Sequence, residues 1–421
     1  MFGKGWKLTL GESLTVCFLS PEFIPISGGV GAYTVELLSH LPENINVHLI
    51  TMQRRILSTR EKKWHAKGNN FKKNLNVHYI GSRSDNFMFY FNFQQACLKV
   101  LPRLHRQFQF DLIHTQFPVM PDILIRLLRR IRVPTVCTVH STVETQLESI
   151  KRAQMGFLEL DRAEKANVAL FLPLKLCQYF YLRKIRWFIT VSDFIRKKLV
   201  KSYRYLNEKK IRTIHIGVNT QRFSPTAKRN LYHCPLRAAT GPIVLFTGRF
   251  VSKKGPHILI QAIPKVLKHV PDAYFVFAGA GDFTPYIKLL KQENVPVNSF
   301  LCLGYVDSAD IPKLYNLSSV YVAPSFEDSL GIRILEAMSC GKAVVASQVG
   351  GVPEIISSGQ NGIVVPPGES GKLAEEIVNL LEDRNLRRKL AEAGRETVLN
   401  KFSSEMMARQ TATLYKDILN G

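Results

Sequence analysis

The fold is decided by residues 320–347, VYVAPSFEDSLGIRILEAMSCGKAVVAS. An apolar run at 320–325 comes first, apolar residues at helical spacing follow from 331 to 341, and a second apolar run occupies 343–347. These parts predict a buried strand, a helix that ends at Gly341 and another buried strand. A strand–helix–strand unit of this kind is typical of a parallel sheet with helices on its faces.

Three acids stand in this unit. Glu327 and Asp328 lie in the loop after the first strand, and Glu336 lies on the second turn of the helix. We expect the loop to carry its carboxylates to the carboxyl end of the sheet, where the helix start at Gly331–Ile332 also presents N–H groups. On these residues alone, a helix cap at Asp328 or Ser329 and a helix-dipole role for Glu336 remain the structural alternative.

Similar apolar runs alternate with helical segments along the whole chain. In the first half they lie at 14–20, 46–51, 76–81, 111–116, 134–141 and 187–192, and in the second half at 242–248, 273–279, 299–306, 320–325, 343–347 and 362–366. The alternation predicts the α/β class, with two Rossmann-like, doubly wound parallel-sheet domains. We expect these domains to face each other across a ligand cleft at the carboxyl ends of the strands.

Two domains also agree with the length of 421 residues, which exceeds what one hydrophobic core usually supports. The periodicity breaks at 222–241, in a stretch with Pro, Gly and basic residues. We therefore predict an N-terminal domain at 1–225 and a C-terminal domain at 240–400. A helix at 401–421 follows, and it could pack back on the N-terminal domain.

The positive charge is concentrated in the first half of the chain. Residues 1–240 hold 38 Lys and Arg against 15 Asp and Glu, whereas 241–421 hold 19 against 18. A basic half favours an anionic membrane surface or nucleic acid, but no nucleic-acid-binding motif accompanies it, so we expect no nucleic acid partner. The basic stretch at 53–73 and the aromatic-basic stretch at 171–188 suit membrane docking. A solvated face and an ordinary amphipathic helix remain the alternatives.

The cysteines and the apolar segments bear on the compartment. Seven scattered cysteines without a CxxC pair indicate free thiols in a reducing compartment. The first apolar run is too short for a signal peptide, and the stretch at 167–182 is too short to span a bilayer. We expect a cytoplasmic protein that associates peripherally with the inner face of the membrane.

Two loops that follow strands carry residues suited to phosphate. SGGVGAY at 27–33 combines glycines with a helix start, which presents N–H groups and a positive dipole end. It does not match the GxGxxG pattern of nicotinamide enzymes. TGRFVSKKG at 247–255 places Arg249 and Lys254 so that they can bracket a diphosphate, with Lys253 as the more exposed member. A tight turn and a solvated basic turn are the respective alternatives.

Together these segments resemble a retaining glycosyltransferase of family 4 (group 1) with the GT-B fold. The matching stretches span about residues 14–400 in the order of the family: GGVGAY, VHST, VSDF, IGVNTQRF, TGRFVSKKG, VFAGAGD, LGYVDSADIPKLY, APSFEDSLGIRILEAMSCGKAVVAS, GGVPEII and NGIVVPPGE. The resemblance implies a nucleoside diphosphate sugar donor bound mainly to the second domain. It implies neither a metal nor a cofactor, because Arg and Lys neutralise the diphosphate.

The resemblance also assigns roles to residues. Glu336 matches the acid that holds the ribose hydroxyls, Asp328 the acid that contacts the donor sugar, and Arg249 with Lys254 the diphosphate-binding pair. His140 matches a histidine near the reaction centre. The catalytic candidates are thus His140, Asp328, Arg249 and Lys254. The donor-binding candidates are Gly28, Gly29, Gly31, Arg249, Lys254, Glu327, Asp328, Leu330, Gly331, Ile332 and Glu336.

The chain departs from the family pattern at two places. Asp328 stands where the family usually has Glu, so neighbouring Glu327 could substitute for it. In IHIGVNTQRF at 214–223, His215, Ile216 and Asn219 take the places of the usual Pro, Asn and Asp. We predict a hexosyltransferase acting on a lipid-linked or cell-envelope glycan acceptor. A non-catalytic GT-B subunit and a sugar-nucleotide epimerase of the same fold are the alternatives.

Overall fold

A computed structural model describes residues 13–23, 28–52, 73–81, 89–118, 120–128, 132–153, 156, 160–226 and 241–421. The basic stretch predicted at 53–73 and the linker predicted at 222–241 therefore lie largely outside the described residues. The chain divides into two compact units. No helix among the described residues is long and apolar enough to cross a membrane.

Unit 1 comprises residues 1–142, 172–217 and 404–421. Its sheet has seven parallel strands in the order β3-β2-β1-β4-β5-β6-β7. The order reverses between β1 and β4, which makes this the switch point of a doubly wound sheet. The strands are β1 Leu14–Leu19, β2 Ile45–Met52, β3 Leu75–Ile80, β4 Leu112–Phe117, β5 Thr135–Val139, β6 Trp187–Thr190 and β7 Ile211–Thr213.

Helices cover both faces of such a sheet and bury its apolar strands. One cluster of core residues gathers side chains of β1, β2, β3 and the long helix α2, Phe89–Phe108. The described helices of unit 1 are α1 Gly29–His40, α2 Phe89–Phe108 and α3 Ile123–Leu128, and later α6, Phe171–Leu182 (whose first residue is assigned to unit 2), α7 Asp193–Ser202 and α15 Ser404–Asn420.

The helix α15 packs against α1 although the two are far apart in sequence. The Ser404 hydroxyl donates to the buried Glu36 carboxylate over 2.8 Å, and the Tyr415 hydroxyl pairs with the buried His114 imidazole. These contacts satisfy polar groups that would otherwise be costly to bury.

Unit 2 comprises residues 143–171 and 218–403. Its six parallel strands follow the order β10-β9-β8-β11-β12-β13, the same winding as in unit 1. The switch point lies between β8 and β11. The strands are β8 Ile243–Thr247, β9 Tyr274–Ala278, β10 Phe300–Gly304, β11 Val320–Ala323, β12 Ala343–Ser347 and β13 Ile363–Val365.

One apolar cluster of unit 2 gathers side chains of its sheet with those of the helices α8, Pro256–His269, and α13, Ser370–Glu382. The described helices of unit 2 are α4 Val143–Arg152, α5 Arg162–Ala169, α8 Pro256–His269, α9 Thr284–Gln292, α10 Ile311–Leu317, α11 Ile332–Ser339, α12 Val352–Ile355, α13 Ser370–Glu382 and α14 Arg384–Lys401.

The two doubly wound parallel sheets confirm the predicted fold class. The strand β7 was not predicted, because Ile211–Thr213 holds only one apolar residue and therefore forms no apolar run. The units also differ from the division expected at 1–225 and 240–400. The segment 143–171 belongs to unit 2, since Glu164 hydrogen-bonds the 252–254 turn, and α15 belongs to unit 1.

Candidate active site

The switch point of unit 2 brings two loops together. One follows β8 and carries Arg249 and Lys254, and the other follows β11 and carries Glu327 and Asp328. The Phe326 N–H donates to the Lys253 carbonyl over 2.8 Å, which ties the loops to each other. Loops at a switch point leave a crevice outside the strand ends, where ligands of such sheets bind.

An ion pair between Lys254 and Asp328 joins these loops. The Lys254 Nζ lies 2.9 Å from the Asp328 carboxylate, and both side chains are partly exposed. The neighbouring Gly255 lets the two loops lie close together. A Cβ at this position would lie 1.9 Å from the Pro324 carbonyl oxygen, and the residue has a φ of +67°. The shorter Asp at 328 therefore reaches the cation that the sequence assigned to the diphosphate.

Glu336 is a buried acid on α11, and both of its carboxylate oxygens accept hydrogen bonds. Arg333 donates to both of its carboxylate oxygens over 3.0 and 2.8 Å, and the Tyr315 hydroxyl donates to it over 2.8 Å. The Tyr315 hydroxyl also contacts Thr247 at the end of β8 over 2.9 Å. Burial, and next to it the charge of Glu336, raise the pKa of Tyr315 well above its ordinary value, so Tyr315 remains a hydrogen-bond donor.

The beginning of α11 lies beside the acidic loop. Gly331 caps the helix with a φ of +101°, a conformation that glycine adopts readily, and Leu330 before it is buried. Asp328 is fixed at its backbone as well, since its carbonyl accepts from the Gly351 N–H over 2.9 Å. The first N–H groups of α11, from Ile332 onward, belong to a helix start of the kind that binds anions.

Positive charge collects in the loop after β8. Arg249 is exposed and Lys253 is half-buried, so the expectation that Lys253 is the exposed member is wrong. Burial lowers the pKa of Lys253, Glu327 and Glu164 oppose that shift, and Arg249 and Lys254 add to it. The loop therefore holds three neighbouring basic side chains, Arg249, Lys253 and Lys254, of the type that forms charge-assisted hydrogen bonds to phosphate.

Glu164 holds the loop after β8 in place through hydrogen bonds. This residue was not identified from the sequence. It is buried on α5, where its carboxylate accepts from the Ser252 hydroxyl over 2.7 Å and from the N–H groups of Ser252 and Lys253 over 3.4 Å. It also closes a capping box with Asp161. The D-x-x-E spacing indicates the cap, but a contact between residues 88 positions apart leaves no local pattern.

In unit 1, the glycine loop stands at the start of α1. Gly28 is the N-cap residue with an extended backbone, and its carbonyl accepts from the Ala32 N–H over 3.1 Å. A Cβ at Gly28 would lie 2.9 Å from a Glu22 carboxylate oxygen, whereas Gly29 is exposed and open. Gly31 is buried inside the first turn. The first N–H groups of α1 are thus presented at the carboxyl end of β1.

His140 follows β5 in unit 1 and belongs to a buried neutral network. Its Nε2 lies 2.9 Å from the Gln116 amide oxygen, whose amide nitrogen donates to Thr34 over 2.8 Å. The Tyr33 ring packs edge-on against the imidazole, with the centroids 4.8 Å apart. Burial lowers the pKa of His140 to about 3, so the imidazole is neutral near pH 7. With Nε2–H donating to Gln116, Nδ1 is the acceptor nitrogen.

The structure thus gathers the candidate residues in two sets. Unit 2 brings together, at its switch point and at the start of α11, Arg249, Lys254, Glu327, Asp328, Leu330, Gly331, Ile332 and Glu336. Unit 1 holds His140 and the glycines at 28, 29 and 31 at its own strand ends. That both sets line one cleft stays a prediction.

Family comparisons cover most of the chain. The model for glycosyl transferases group 1 matches residues 235–397, and the model for glycosyltransferase family 4 matches residues 27–222. An uncharacterized glycosyltransferase of Methanocaldococcus jannaschii is 29% identical over 73% of this chain and 75% of its own length. A phosphatidyl-myo-inositol mannosyltransferase of Mycobacterium leprae is 27% identical over 78% of this chain and 81% of its own length.

A solved structure agrees on the fold. Anabaena HepE in complex with UDP-glucose superposes with a TM-score of 0.70, covering 96% of this chain and 100% of that chain at 20% identity. At this identity the likeness shows the GT-B fold alone.

Proposed function

This chain belongs to the group 1 glycosyltransferases of family 4, and we propose that it moves a hexose from a nucleoside diphosphate sugar to an acceptor hydroxyl with retention of the anomeric configuration. The observation that carries the proposal is the Lys254–Asp328 contact of 2.9 Å. It sets a phosphate-binding cation beside a sugar-binding acid at the switch point of one sheet.

The proposed reaction needs stabilisation of the leaving group more than a nucleophile. As the anomeric C–O bond breaks, negative charge builds on the diphosphate, where Lys254, Arg249 and the N–H groups at the start of α11 stabilise it. The acceptor oxygen attacks from the same face, and its proton passes to a diphosphate oxygen. The carboxylates bind sugar hydroxyls and do not attack the anomeric carbon.

Unit 1 contributes a neutral group in this proposal. Because His140 carries no charge near pH 7, it acts as a hydrogen-bonding partner of the donor sugar and not as a counter-ion. The imidazole is oriented by Gln116 and by the Tyr33 ring. The N–H groups at Gly29–Gly31 are proposed to add to diphosphate binding.

The donor and the acceptor are proposed by class. The HepE complex contains UDP-glucose, which supports a nucleoside diphosphate hexose as the donor. The mycobacterial relative is named a phosphatidyl-myo-inositol mannosyltransferase, and the first half of this chain is strongly basic. Both support a lipid-linked or envelope glycan acceptor that is reached at the cytoplasmic face of an anionic membrane.

Donor binding followed by turnover tests the proposal. A panel of nucleotide sugars is screened by thermal shift, and the donor that stabilises the protein most is then assayed for hydrolysis and transfer, with the product anomer read by NMR. We expect an α-linked product from an α-linked donor. An inverted product would contradict retention, and an epimerised sugar nucleotide would indicate the epimerase. Binding without turnover would indicate a non-catalytic subunit.

A further inference from the structure

The outward face of α6 is apolar. Leu172, Leu176 and Phe180 are 74, 57 and 50% exposed, and their spacing of four residues places them on one side of the helix. On the other side, Tyr181 and Leu182 are buried in unit 1. A helix on a protein surface normally turns polar residues outward, so this helix has the composition of one that is covered on both sides.

The exposed apolar residues are concentrated here. Among the described residues, fourteen large hydrophobic side chains are exposed, and five of them form this patch: Leu172, Leu176, Tyr179, Phe180 and Tyr205. Single exposed hydrophobic residues are normal, but a contiguous group indicates a surface that binds something.

A basic pocket adjoins the apolar face. It has a volume of about 360 Å³, and its lining includes four cations and no acid: Leu182, Arg183, Lys184, Ile185, Arg186, Phe188, Tyr205, Leu206, Asn207 and Lys210. Arg183 connects the two features, because its guanidinium donates to the Tyr179 hydroxyl over 2.7 Å and lies 5.5 Å from the centre of the Tyr205 ring. The Tyr205 hydroxyl in turn donates to the Tyr179 carbonyl over 3.0 Å. Apolar face and basic pocket therefore form one continuous surface.

Two of the four pocket cations, Arg183 and Lys210, lie over aromatic rings. The Lys210 Nζ lies 3.7 Å from the centre of the Trp187 ring, and the Arg183 guanidinium lies 5.3 Å from that of Tyr179. Such stacking fixes a cation without neutralising its charge. The amphipathic rings of Tyr and Trp are also the side chains that settle at the boundary between lipid and water.

We propose that the surface formed by α6 and this pocket docks on an anionic phospholipid bilayer. The leucines and Phe180 would enter the acyl boundary while the pocket cations bind the headgroup phosphates. A second copy of the chain fits less well, because a twofold interface places the same patch on itself and would bring these cations together. The inference rests on the proposed function only in that a lipid-linked acceptor would be met at this surface.

Vesicle flotation tests the docking without donor or acceptor, so it can fail or succeed independently of the transferase assay. The full chain is mixed with vesicles of phosphatidylcholine and phosphatidylglycerol, and separately with phosphatidylcholine alone. We expect co-flotation with the anionic vesicles only, weakened at high salt. Leu172→Glu/Leu176→Glu and Arg183→Glu/Lys184→Glu should each weaken binding at least about tenfold.

A control changes one aliphatic residue and one cation to Glu at another exposed place. Ile287 and Lys291 are both exposed on α9 of unit 2, so Ile287→Glu/Lys291→Glu should float like the wild type. Thermal melting of every variant shows that it is folded. Wild-type binding by the α6 and pocket variants would overturn the proposal, as would equal flotation on neutral vesicles. A dimer in solution that Leu172→Glu/Leu176→Glu dissociates would instead show that the face is a self-interface.

Discussion

The sheets of the two units have the same strand order, but the residues at the carboxyl ends of their strands differ in charge. At the ends of β8 and β11 in unit 2, ionised groups meet, as in the pair of Lys254 with Asp328. At the end of β5 in unit 1, His140 stands in a buried network of neutral hydrogen bonds. The difference teaches that one scaffold can carry ionised groups at the strand ends of one unit and a rigid, neutral hydrogen-bond network at those of the other. Four substitutions test this contrast.

Lys254→Ala is expected to have the largest effect. It removes a cation from the proposed diphosphate site, so kcat/KM should fall by about 10²–10³-fold, as for the loss of one preorganised donor. Steady-state kinetics measure the change, and thermal melting checks that the fold persists. Lys291→Ala, at an exposed position on α9, is the control. Unimpaired turnover in Lys254→Ala would refute the site assignment.

Glu336→Gln should follow. It keeps the shape of the side chain but removes the charge proposed to hold the ribose hydroxyls, so the donor KM should rise about 10- to 100-fold. Glu375→Gln is a matched control, because Glu375 also pairs with a cation three residues away, Lys372, but on the outer surface of α13. Equal donor KM values in the two variants would contradict a ribose role for Glu336.

Glu164→Gln tests whether the hydrogen bonds from Glu164 are needed to position the loop after β8. The substitution weakens the charge-assisted hydrogen bonds to the 252–254 turn, and we expect kcat/KM to fall about tenfold. The stabilisation of the protein by donor in thermal shift should shrink as well. A loss of melting temperature with an unchanged kcat/KM would assign Glu164 to stability alone and not to positioning.

His140→Gln is the last of the four substitutions and has the smallest expected effect. We expect it to change the pH dependence of the free energy of unfolding. Burial lowers the pKa of His140 from 6.5 to about 3, so between these values the unfolded chain binds a proton that the folded chain does not. Stability therefore falls as pH falls through this window. The variant should flatten the dependence by about 1.4 kcal/mol per pH unit, measured by urea unfolding. A similar flattening in exposed His269→Gln would contradict the role of burial.

The sequence was enough to predict both sheets, because buried parallel strands are continuous apolar runs bounded by loops. All strands except β7 were predicted. It also predicted the loops at the switch point of unit 2, since polar residues directly after strands have few structural reasons to be there. The Lys254–Asp328 contact follows from that placement.

What the sequence could not predict depends on contacts between distant residues. Glu164 reaches Ser252 across 88 positions, and no local pattern marks that contact. Arg333 lies three residues before Glu336, a spacing that indicates a pair, yet only the fold shows that it engages both carboxylate oxygens. Lys253 was expected to be the more exposed member of its loop, but its side chain is half-buried.

Because α15 packs against α1, unit 1 is completed only when the last residues of the chain have been synthesised. Ser404 and Glu36 are 368 residues apart, so α1 leaves the ribosome long before its helical partner exists. Residues 218–403 are synthesised in between, so unit 2 can become compact while the surface of α1 that α15 covers is still exposed. A fragment that stops at residue 225 would lack α15 and would leave the apolar residues that pack against it uncovered.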